Sequence, residues 1–323
     1  MSSIKRKYNK LKVAKQNDML IPLLQGRLVK LEHDIKIRFM KKGTTQYVKD
    51  IIDEEVGFKF LKKEYNWYLK NQQRNYECNG TLPKVIWWCW FQGIDQAPEM
   101  VKMCLDSIVK NFKGYKLNVI TLDNVQKFVN IPEYIMKKFK SGIISYAHFS
   151  DIIRILLLAQ YGGVWIDATV YCSNSNILSV IENTDFFIYQ NGLLGNDPNI
   201  KISNWFISSK KNEVFVNEMK KLLLHYWKTH NYVEDYFIFH LLFTLVTKKY
   251  PKEWDKVPAY NNVSPHMMVK ELNSPYSQVR YQQLNSFSSM HKLDHHIKYN
   301  DNADTLYHHL LKNSTFDITR DLL

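Results

Sequence analysis

Hydrophobic and polar positions divide the chain into a helical N-terminal stretch and a longer stretch in which strands and helices alternate. Residues 1–80 carry apolar residues at three- and four-residue spacing, as in LIPLLQGRLVKLEHDIKIRFMKK and VKDIIDEEVGFKFLKKEYNWYLKNQQ, and this period predicts helices. Gly80 belongs to an Asn-Gly turn signal, and the run KVIWWCWF after Pro83 is short and rich in strand formers. We therefore predict a helical appendage over 1–80 and a second domain over 81–323.

The second domain opens with strands and helices in alternation. A helix is predicted from Pro98, a residue suited to a first turn, to about Phe112, and the strand YKLNVITL comes next. The segment YAHFSDIIRILLLAQYGG predicts a strong helix with Ser145 as its N-cap and Gly162 as its stop, and the strand VWID follows at once. Strand, helix and strand in this order predict an α/β domain with a parallel sheet.

The remaining pattern continues this alternation. Stretches near 124–141, 212–229 and 234–249 predict helices, while DFFIYQ and NWFISS predict strands. The remainder, to residue 323, is predicted to be rich in loops.

The composition of the chain indicates its cellular location. A chain of 323 residues with 45% hydrophobic residues can build a substantial core. Residues 1–20 are basic and never become apolar enough for a secretion signal, and apolar runs such as YFIFHLLFTLV are too short to cross a bilayer. We therefore expect a cytoplasmic protein. Reduced thiols are expected rather than disulfides or a zinc site, because the cysteines lack paired spacing: Cys78, Cys89, Cys104 and Cys172.

The net charge of +13 is concentrated near the N-terminus. Residues 1–80 contain 18 Lys or Arg against 9 Asp or Glu, a net of +9, and the rest of the chain has 26 against 22, a net of +4. An anionic membrane surface, a nucleic acid or plain solvation would each explain such a region. Because the sequence has no zinc-finger spacing and no aromatic-glycine RNA signature, we expect no nucleic-acid partner and favour peripheral contact with the inner face of the cell membrane.

Candidate chemistry is concentrated in YGGVWIDATVYCS, residues 161–173. Ligands of open α/β sheets collect beyond the carboxyl ends of strands, and Asp167 lies at such an end. Two glycines, a short apolar strand and a carboxylate are typical of a site that presents a metal ion to a diphosphate. A second carboxylate two residues later would complete that site, but Thr169 stands there.

Four segments carry a family resemblance: LPKVIWWCWFQG, SYAHFSDIIRILLLAQYGGVWIDATV, NWFISSKKNEVF and SMHKLDHH. In this order they resemble capsular polysaccharide synthesis glycosyltransferases, relatives of the DxD sugar-binding mannosyltransferases and of the catalytic domains of large glucosylating toxins. The resemblance covers about residues 82–293 and depends on the joint pattern, above all SDIIR twelve residues before GGVWIDAT. It implies a GT-A (Rossmann-like) fold, a nucleotide-sugar donor and transfer of a sugar to a growing polysaccharide.

Asp151 and Arg154 lie three residues apart and therefore share one face of the SDIIR helix. An ion pair within the helix would explain them without any function. In the related toxins the matching Asp and Arg contact the hexose. The resemblance therefore implies that Asp151 accepts hydrogen bonds from sugar hydroxyls and that Arg154 supplies a cation beside the diphosphate.

The resemblance matches Asp167 to the first acid of the DxD motif, which in relatives contacts ribose and sugar hydroxyls. Thr169 takes the place of the second acid, which in relatives ligates the metal. The expected cofactor is Mn²⁺ or Mg²⁺ in a weakened site of oxygen ligands that includes Asp167 and Thr169. Three substitutes for the lost acid stay open: Thr169 with a water, a ligand from the C-terminal segment, or Arg and Lys in place of the metal.

The segment SSMHKLDHH is predicted to complete the site. His291 is the expected ligand of a metal or a phosphate oxygen, and Lys292 is the expected cation for the departing diphosphate. A polar tail would also explain these residues together with Asp294 and His295, because HxxxH without an intervening Glu lacks the zinc-protease pattern.

Two further candidates lie at the ends of predicted elements. Trp90 ends the first core strand where relatives place an aromatic ring over the nucleotide base, so it is predicted to stack on a uracil or else to be a core residue like Trp87 and Trp88. Asp235 belongs to the acidic pair with Glu234 that opens a predicted helix. It is a candidate for acceptor binding or general-base catalysis, against simple stabilisation of the helix N-terminus.

The predicted function is transfer of a hexose from a nucleotide-diphosphate sugar, expected to be a UDP-hexose, to a lipid-linked oligosaccharide with retention of configuration. Two alternatives stay open. One is a sugar-phosphate transferase, whose products would contain phosphodiester linkages, and the other is a non-catalytic nucleotide or carbohydrate binder that scaffolds polysaccharide assembly. A dehydrogenase is disfavoured because no GxGxxG follows a strand.

Overall fold

The computed structural model describes residues 3–40, 46–78, 80–191, 199–300 and 304–314. In these ranges the strands are β1 (Val85–Cys89), β2 (Lys116–Ile120), β3 (Gly163–Ile166), β4 (Val170–Cys172), β5 (Phe186–Gln190), β6 (Ile202–Ser209) and β7 (Met290–Lys292). The helices are α1 (Ser3–Gln16), α2 (Leu20–Met40), α3 (Gln46–Glu64), α4 (Asn66–Lys70), α5 (Glu99–Asn111), α6 (Val125–Phe128), α7 (Glu133–Lys140), α8 (Tyr146–Tyr161), α9 (Asn176–Ile181), α10 (Val214–Thr229), α11 (Ile238–Lys249), α12 (Pro251–Trp254), α13 (Met267–Glu271), α14 (Gln278–Phe287) and α15 (Leu306–Lys312). None of the helices in these ranges combines the length and the apolar character needed to span a lipid bilayer.

The central sheet of the described residues has the strand order β2-β1-β3-β6-β5. Strands β2, β1 and β3 run parallel, as the sequence predicts, but β6 is antiparallel to both β3 and β5. The sheet is therefore mixed rather than parallel throughout. Because β6 runs backwards, its first half lies beside the carboxyl end of β3, where Asp167 N donates to Trp205 O at 2.8 Å. This reversal brings residues 203–205 to the edge of the sheet that holds Asp167.

A second, two-stranded ladder carries the chain away from Asp167 and returns the C-terminal region to it. Strands β4 and β7 are antiparallel, with Val170 opposite Lys292 and Tyr171 opposite His291. The ladder is extended by a bond from Leu293 N to Thr169 O at 2.8 Å. The C-terminal region predicted to be loop-rich thus contributes β7 as well as α13 to α15.

Helix α8 forms where its sequence signals place it. Ser145 Oγ accepts from His148 N at 3.2 Å and caps the first turn. At the other end Gly162 has φ +68°, a left-handed conformation that glycine adopts without strain. Gly163 has φ +96°, and a Cβ there would lie 2.6 Å from Val85 O. The tight turn therefore delivers the chain directly from α8 into β3.

The N-terminal helices share the core of the second domain rather than standing apart from it. Phe58, Leu61, Tyr65 and Tyr68 are buried in one hydrophobic cluster with side chains of α8, α10 and α11. Their spacing of three and four residues gives α3 and α4 an apolar face, and α11 covers it. Residue 80 is therefore not a boundary between two cores.

Candidate active site

A cavity of about 600 Å³ opens beyond the carboxyl end of β3. Helix α8, the first half of β6 and the segment after β7 surround it. Its walls include most of the predicted site residues, namely Trp90, Asp151, Arg154, Asp167, Thr169 and Lys292. They also include His295 and His296 of the SSMHKLDHH segment, and residues that the sequence did not single out for the site, among them Asn204, Trp205 and His266.

Arg154 lies at the base of the cavity and joins two carboxylates. Its Nη2 donates to Asp167 Oδ1 at 3.0 Å, and its Nη1 lies 3.2 Å from Asp151 Oδ1. Nη1 also donates to Asn204 O at 2.8 Å. The side chain is only 4% exposed, and the guanidinium lies over the Trp165 ring at 4.9 Å. Both Nη groups are thus occupied by protein acceptors, so Arg154 orients carboxylates and is poorly placed to contact a diphosphate directly.

The two carboxylates have opposite pKa shifts. Burial raises the pKa of Asp151, although Arg154 and His148 oppose the shift and Asn204 Nδ2 donates to Oδ1 at 2.8 Å. Burial alone would also raise the pKa of Asp167, but Lys292, Arg154 and hydrogen bonds outweigh it and lower that pKa. Asp167 is therefore held as a carboxylate, whereas Asp151 takes up a proton more readily than an ordinary aspartate.

Lys292 reaches the same carboxylate from β7. Its Nζ donates to Asp167 Oδ2 at 2.8 Å and to Thr169 Oγ1 at 2.9 Å. The β4–β7 ladder sets this position, because Lys292 lies opposite Val170 and hence beside Thr169. Three residues predicted separately from the sequence therefore form one hydrogen-bonded group.

His291 does not join this group, which corrects the prediction that it ligates the metal. Successive side chains of a strand point to opposite faces, so His291 must point away when Lys292 points into the cavity. His291 is fully buried, and its Nε2 lies 3.1 Å from Ser173 Oγ. Burial lowers its pKa to about 3, which keeps the ring neutral.

Asp235 also lies outside the cavity lining. Helix α11 begins at Ile238, so the acidic pair precedes the helix instead of opening it. Asp235 Oδ1 accepts from Phe237 N at 2.6 Å in a local turn just before the helix, so it lies in neither the cavity nor the first turn of α11. Its neighbours Tyr236 and Phe237 line the cavity in its place.

Trp90 forms part of the cavity wall just beyond β1. Its ring meets the His295 ring edge-to-face at 5.5 Å. Trp87 and Trp88 are buried in the two hydrophobic clusters on opposite faces of the sheet, as their alternation in the strand predicts.

The arrangement around Asp167 does not fit a divalent metal ion. Asp167 Oδ1 accepts from Arg154 and from Trp165 Nε1, and Oδ2 accepts from Lys292. Thr169 Oγ1, the other expected ligand, accepts from the same ammonium group. A hard cation needs several free oxygen ligands, and here a protein cation already contacts both expected ones.

One other cluster with metal-ligand side chains is found within the described residues, at the cavity edge. Asp294, His295 and His296 place their candidate ligand atoms within 4.8 Å of one another. Asp294 Oδ1 already accepts from His296 N at 2.9 Å in a local turn.

Comparison with known proteins identifies the family. Residues 36–310 match the family profile described as capsular polysaccharide synthesis protein. The chain belongs to this family. A relative described as uncharacterized glycosyltransferase L373 of Acanthamoeba polyphaga mimivirus is 24% identical over 141 residues, 40% of this chain and 55% of the viral protein. The chain thus spans about half the length of that curated relative.

Two solved structures are distantly similar to this family member. The PaToxG glycosyltransferase shares 15% identity, with 74% of this chain and 95% of that chain covered and a TM-score of 0.38. The glycosyltransferase GlyE of Streptococcus pneumoniae TIGR4 shares 9% identity, with 74% and 62% covered and a TM-score of 0.40.

Several residues that line the cavity were not predicted from the sequence, and the reason is physical. Asn204 contacts both Arg154 and Asp151 from the first half of β6. If β6 ran parallel to β3, as predicted, this half would lie at the opposite edge of the sheet from Asp167. The strand pattern NWFISS does not reveal direction. Trp165 had a usable signal, because residues two apart in a strand share a face and its indole donates to Asp167 Oδ1 at 2.8 Å.

Proposed function

We propose that this chain is a glycosyltransferase with a GT-A type fold that moves a hexose from a nucleotide-diphosphate sugar, a UDP-hexose, to an oligosaccharide acceptor. The observation that carries the proposal is the group formed by Asp151, Arg154, Asp167 and Lys292 in one cavity beyond the carboxyl end of β3. Membership of the capsular polysaccharide synthesis family supports the same function. A growing capsular or cell-surface polysaccharide is the proposed acceptor.

The charges of the cavity suit the two halves of such a donor. Asp151 and Asp167 supply carboxylate oxygens for sugar hydroxyls, and Arg154 fixes their positions. Lys292, with 22% of its side chain exposed, is the cation that remains accessible to the diphosphate. Trp90 offers an aromatic surface for the nucleotide base.

The proposed reaction forms one bond and breaks one bond at the anomeric carbon. The acceptor oxygen forms a bond to the anomeric carbon. At the same time the bond between the anomeric carbon and the β-phosphate oxygen breaks, and its electron pair leaves with the nucleoside diphosphate. The hydroxyl proton of the acceptor passes to the departing phosphate oxygen, so attack occurs on the same face and configuration is retained. Lys292 stabilises the charge that develops on the leaving group.

Transfer to a lipid-linked acceptor would require contact with a membrane, and α2 has a suitable surface. Its exposed face carries a stripe of five apolar side chains at three- and four-residue spacing, which we call the α2 stripe: Ile21, Leu24, Leu28, Leu31 and Ile35. Exposed basic residues on the same helix, Arg27, Lys30 and Arg38, suit an anionic lipid surface. The proposed partner of the α2 stripe is therefore the inner face of the cell membrane.

Sedimentation with lipid vesicles tests this membrane contact. The intact chain is expected to bind vesicles rich in phosphatidylglycerol more strongly than phosphatidylcholine vesicles, and Leu28→Glu with Leu31→Glu should abolish binding. Val279→Glu with Phe287→Glu is the matched control, since both residues are exposed apolar side chains on α14. Equal binding by the two double variants would contradict a role for the α2 stripe.

The transferase proposal is tested by incubating the protein with UDP- and GDP-hexoses and oligosaccharide acceptors, and measuring nucleotide release and product. Asp167→Asn is expected to reduce turnover more than about 100-fold, because it removes the charge that holds Arg154 and Lys292. Thr169→Ala should cost about 2- to 10-fold, the value of one neutral acceptor. Unchanged turnover in Asp167→Asn would place the chemistry elsewhere, and donor binding without nucleotide release would favour a scaffold.

A further inference from the structure

The position of Lys292 resembles that of a metal ion more than that of a surface lysine. Its Nζ lies between Asp167 Oδ2 and Thr169 Oγ1, at 2.8 and 2.9 Å. These two side chains occupy the first and third positions of the DAT segment, where the resemblance to DxD proteins led us to expect a bound cation. We propose that the Lys292 ammonium takes the place of the divalent ion, so that the chain binds and uses its nucleotide diphosphate without a metal. This inference rests on the proposed function.

Charge balance supports the substitution. Two carboxylates neutralise one divalent ion, whereas one carboxylate neutralises one ammonium group. The chain has Thr169 where the DxD motif has its second acid, and it supplies one positive charge at position 292. A divalent ion added beside Asp167 would lie close to the existing ammonium, and the two cations would repel each other strongly because the side chains of Asp167 and Lys292 are largely buried.

The backbone holds this ammonium in place. Lys292 is the last residue of β7, and the ladder with β4 continues past it through Leu293 N to Thr169 O. Its neighbours Met290, His291 and Leu293 are all buried, so the strand is anchored on both sides of the lysine. The lysine is thus positioned by the fold and does not depend on a flexible surface segment.

The ammonium also retains a donor for the ligand. A lysine ammonium has three N–H groups, and the described contacts use one for Asp167 and one for Thr169. The side chain borders the cavity and is 22% exposed, so the third N–H is accessible to a phosphate oxygen. Lys292 thereby bridges the protein carboxylate and the diphosphate, as a metal ion would.

Calorimetric titration of the 323-residue chain with UDP tests the inference, once in EDTA and once in Mn²⁺. We expect the two dissociation constants to agree within about twofold, and turnover of the UDP-sugar to persist in EDTA. Binding that is more than about tenfold tighter in Mn²⁺, or turnover lost in EDTA and restored by Mn²⁺, would overturn it. A metal ion held by Asp294, His295 and His296 would also make UDP binding or turnover depend on Mn²⁺. That result would overturn the inference about Lys292 but not the proposed transferase function.

Variants at position 292 provide a second test of the inference. Lys292→Met is expected to weaken UDP binding about 10- to 100-fold, equally in EDTA and Mn²⁺, because one charge-assisted contact is lost. Lys292→Arg should retain most of the affinity, because the cation remains. Lys84→Met is the matched control, since Lys84 is an exposed lysine paired with Glu182 outside the cavity lining. Thermal unfolding midpoints check that each variant is folded.

The outcomes separate this inference from the proposed function. UDP affinity in folded Lys292→Met equal to that of the unaltered protein would overturn the role of Lys292, and the titration in EDTA still decides if the variant does not fold. Binding of neither UDP nor GDP by the unaltered protein, with or without Mn²⁺, would overturn the proposed function and this inference with it.

Discussion

Replacing Arg154 with methionine removes the cation that Asp151 and Asp167 share. Methionine keeps an unbranched apolar stem but has no N–H donor. The three contacts that Arg154 makes would be lost: 3.0 Å to Asp167, 3.2 Å to Asp151 and 2.8 Å to Asn204 O. Breaking a buried pair in this way costs about 3–5 kcal/mol. Asp167 keeps Lys292 and Trp165, and Asp151 keeps Asn204, so we expect a loss near the lower value, about 3 kcal/mol.

Urea denaturation at two pH values measures this loss and its cause. Without Arg154 the native-state pKa of both carboxyl groups rises, and an acid with a raised native pKa stabilises the fold at low pH and loses that contribution as pH increases. The deficit of Arg154→Met should therefore be smaller at pH 4.5 than at pH 7, and adding Asp151→Asn should restore at least about 1 kcal/mol at pH 7. A loss below about 1 kcal/mol that does not vary with pH would refute the assignment of Arg154 as the shared cation.

Two further predictions concern the elements that position the site. His291 has a native pKa of about 3 against the ordinary 6.5, so the unfolded chain takes up a proton below pH 6.5 that the native chain does not. Between pH 7.5 and 5 the free energy of unfolding should fall by about 2 kcal/mol more in the unaltered protein than in His291→Gln, and equal falls would contradict the burial argument. Gly163→Ala should destabilise the fold by more than about 2 kcal/mol, because it combines φ +96° with a Cβ that would lie 2.6 Å from Val85 O. Gly80→Ala, with φ +84° and no atom within 4 Å of the added Cβ, isolates the conformational cost, and equal thermal midpoints for the two variants would argue against the steric clash.

Features fixed by short stretches of sequence were predictable. The cap at Ser145, the stop at Gly162 and the apolar run of β3 are local signals, and the structure has α8 and β3 where these signals place them. Asp167 follows from them, because the carboxyl end of a strand is where ligands collect. Packing between distant segments was harder, since the apolar spacing of α3 and α4 predicts helices without revealing that Tyr65 and Tyr68 are buried in the main core.

The direction of β6 and the alternation of side chains along β7 explain the errors in the predicted site. The composition of β6 is the same whichever way the strand runs, so nothing in NWFISS predicted that Asn204 would lie beside Asp167. The chemistry of the two side chains predicts that both His291 and Lys292 join the site, but neighbouring residues of a strand point to opposite faces of the sheet. Knowing that SSMHKLDHH contains a strand would have separated them.

The base of the cavity holds two carboxylates and two cations, and in the proposed reaction this balance determines when Lys292 acts. Asp151 and Asp167 face Arg154 and Lys292, and Arg154 is occupied by its protein acceptors. Before reaction the ammonium is shared with Asp167, so an intact sugar nucleotide gains only part of its charge. In the proposed transfer, negative charge grows on the leaving diphosphate as the anomeric bond breaks, and we expect its contact with Lys292 to strengthen. An interaction that is greater in the transition state than in the ground state lowers the barrier. Free UDP carries that developed charge, so Lys292→Met should weaken UDP binding more than binding of the UDP-sugar, and equal losses would mean that the lysine serves donor binding alone.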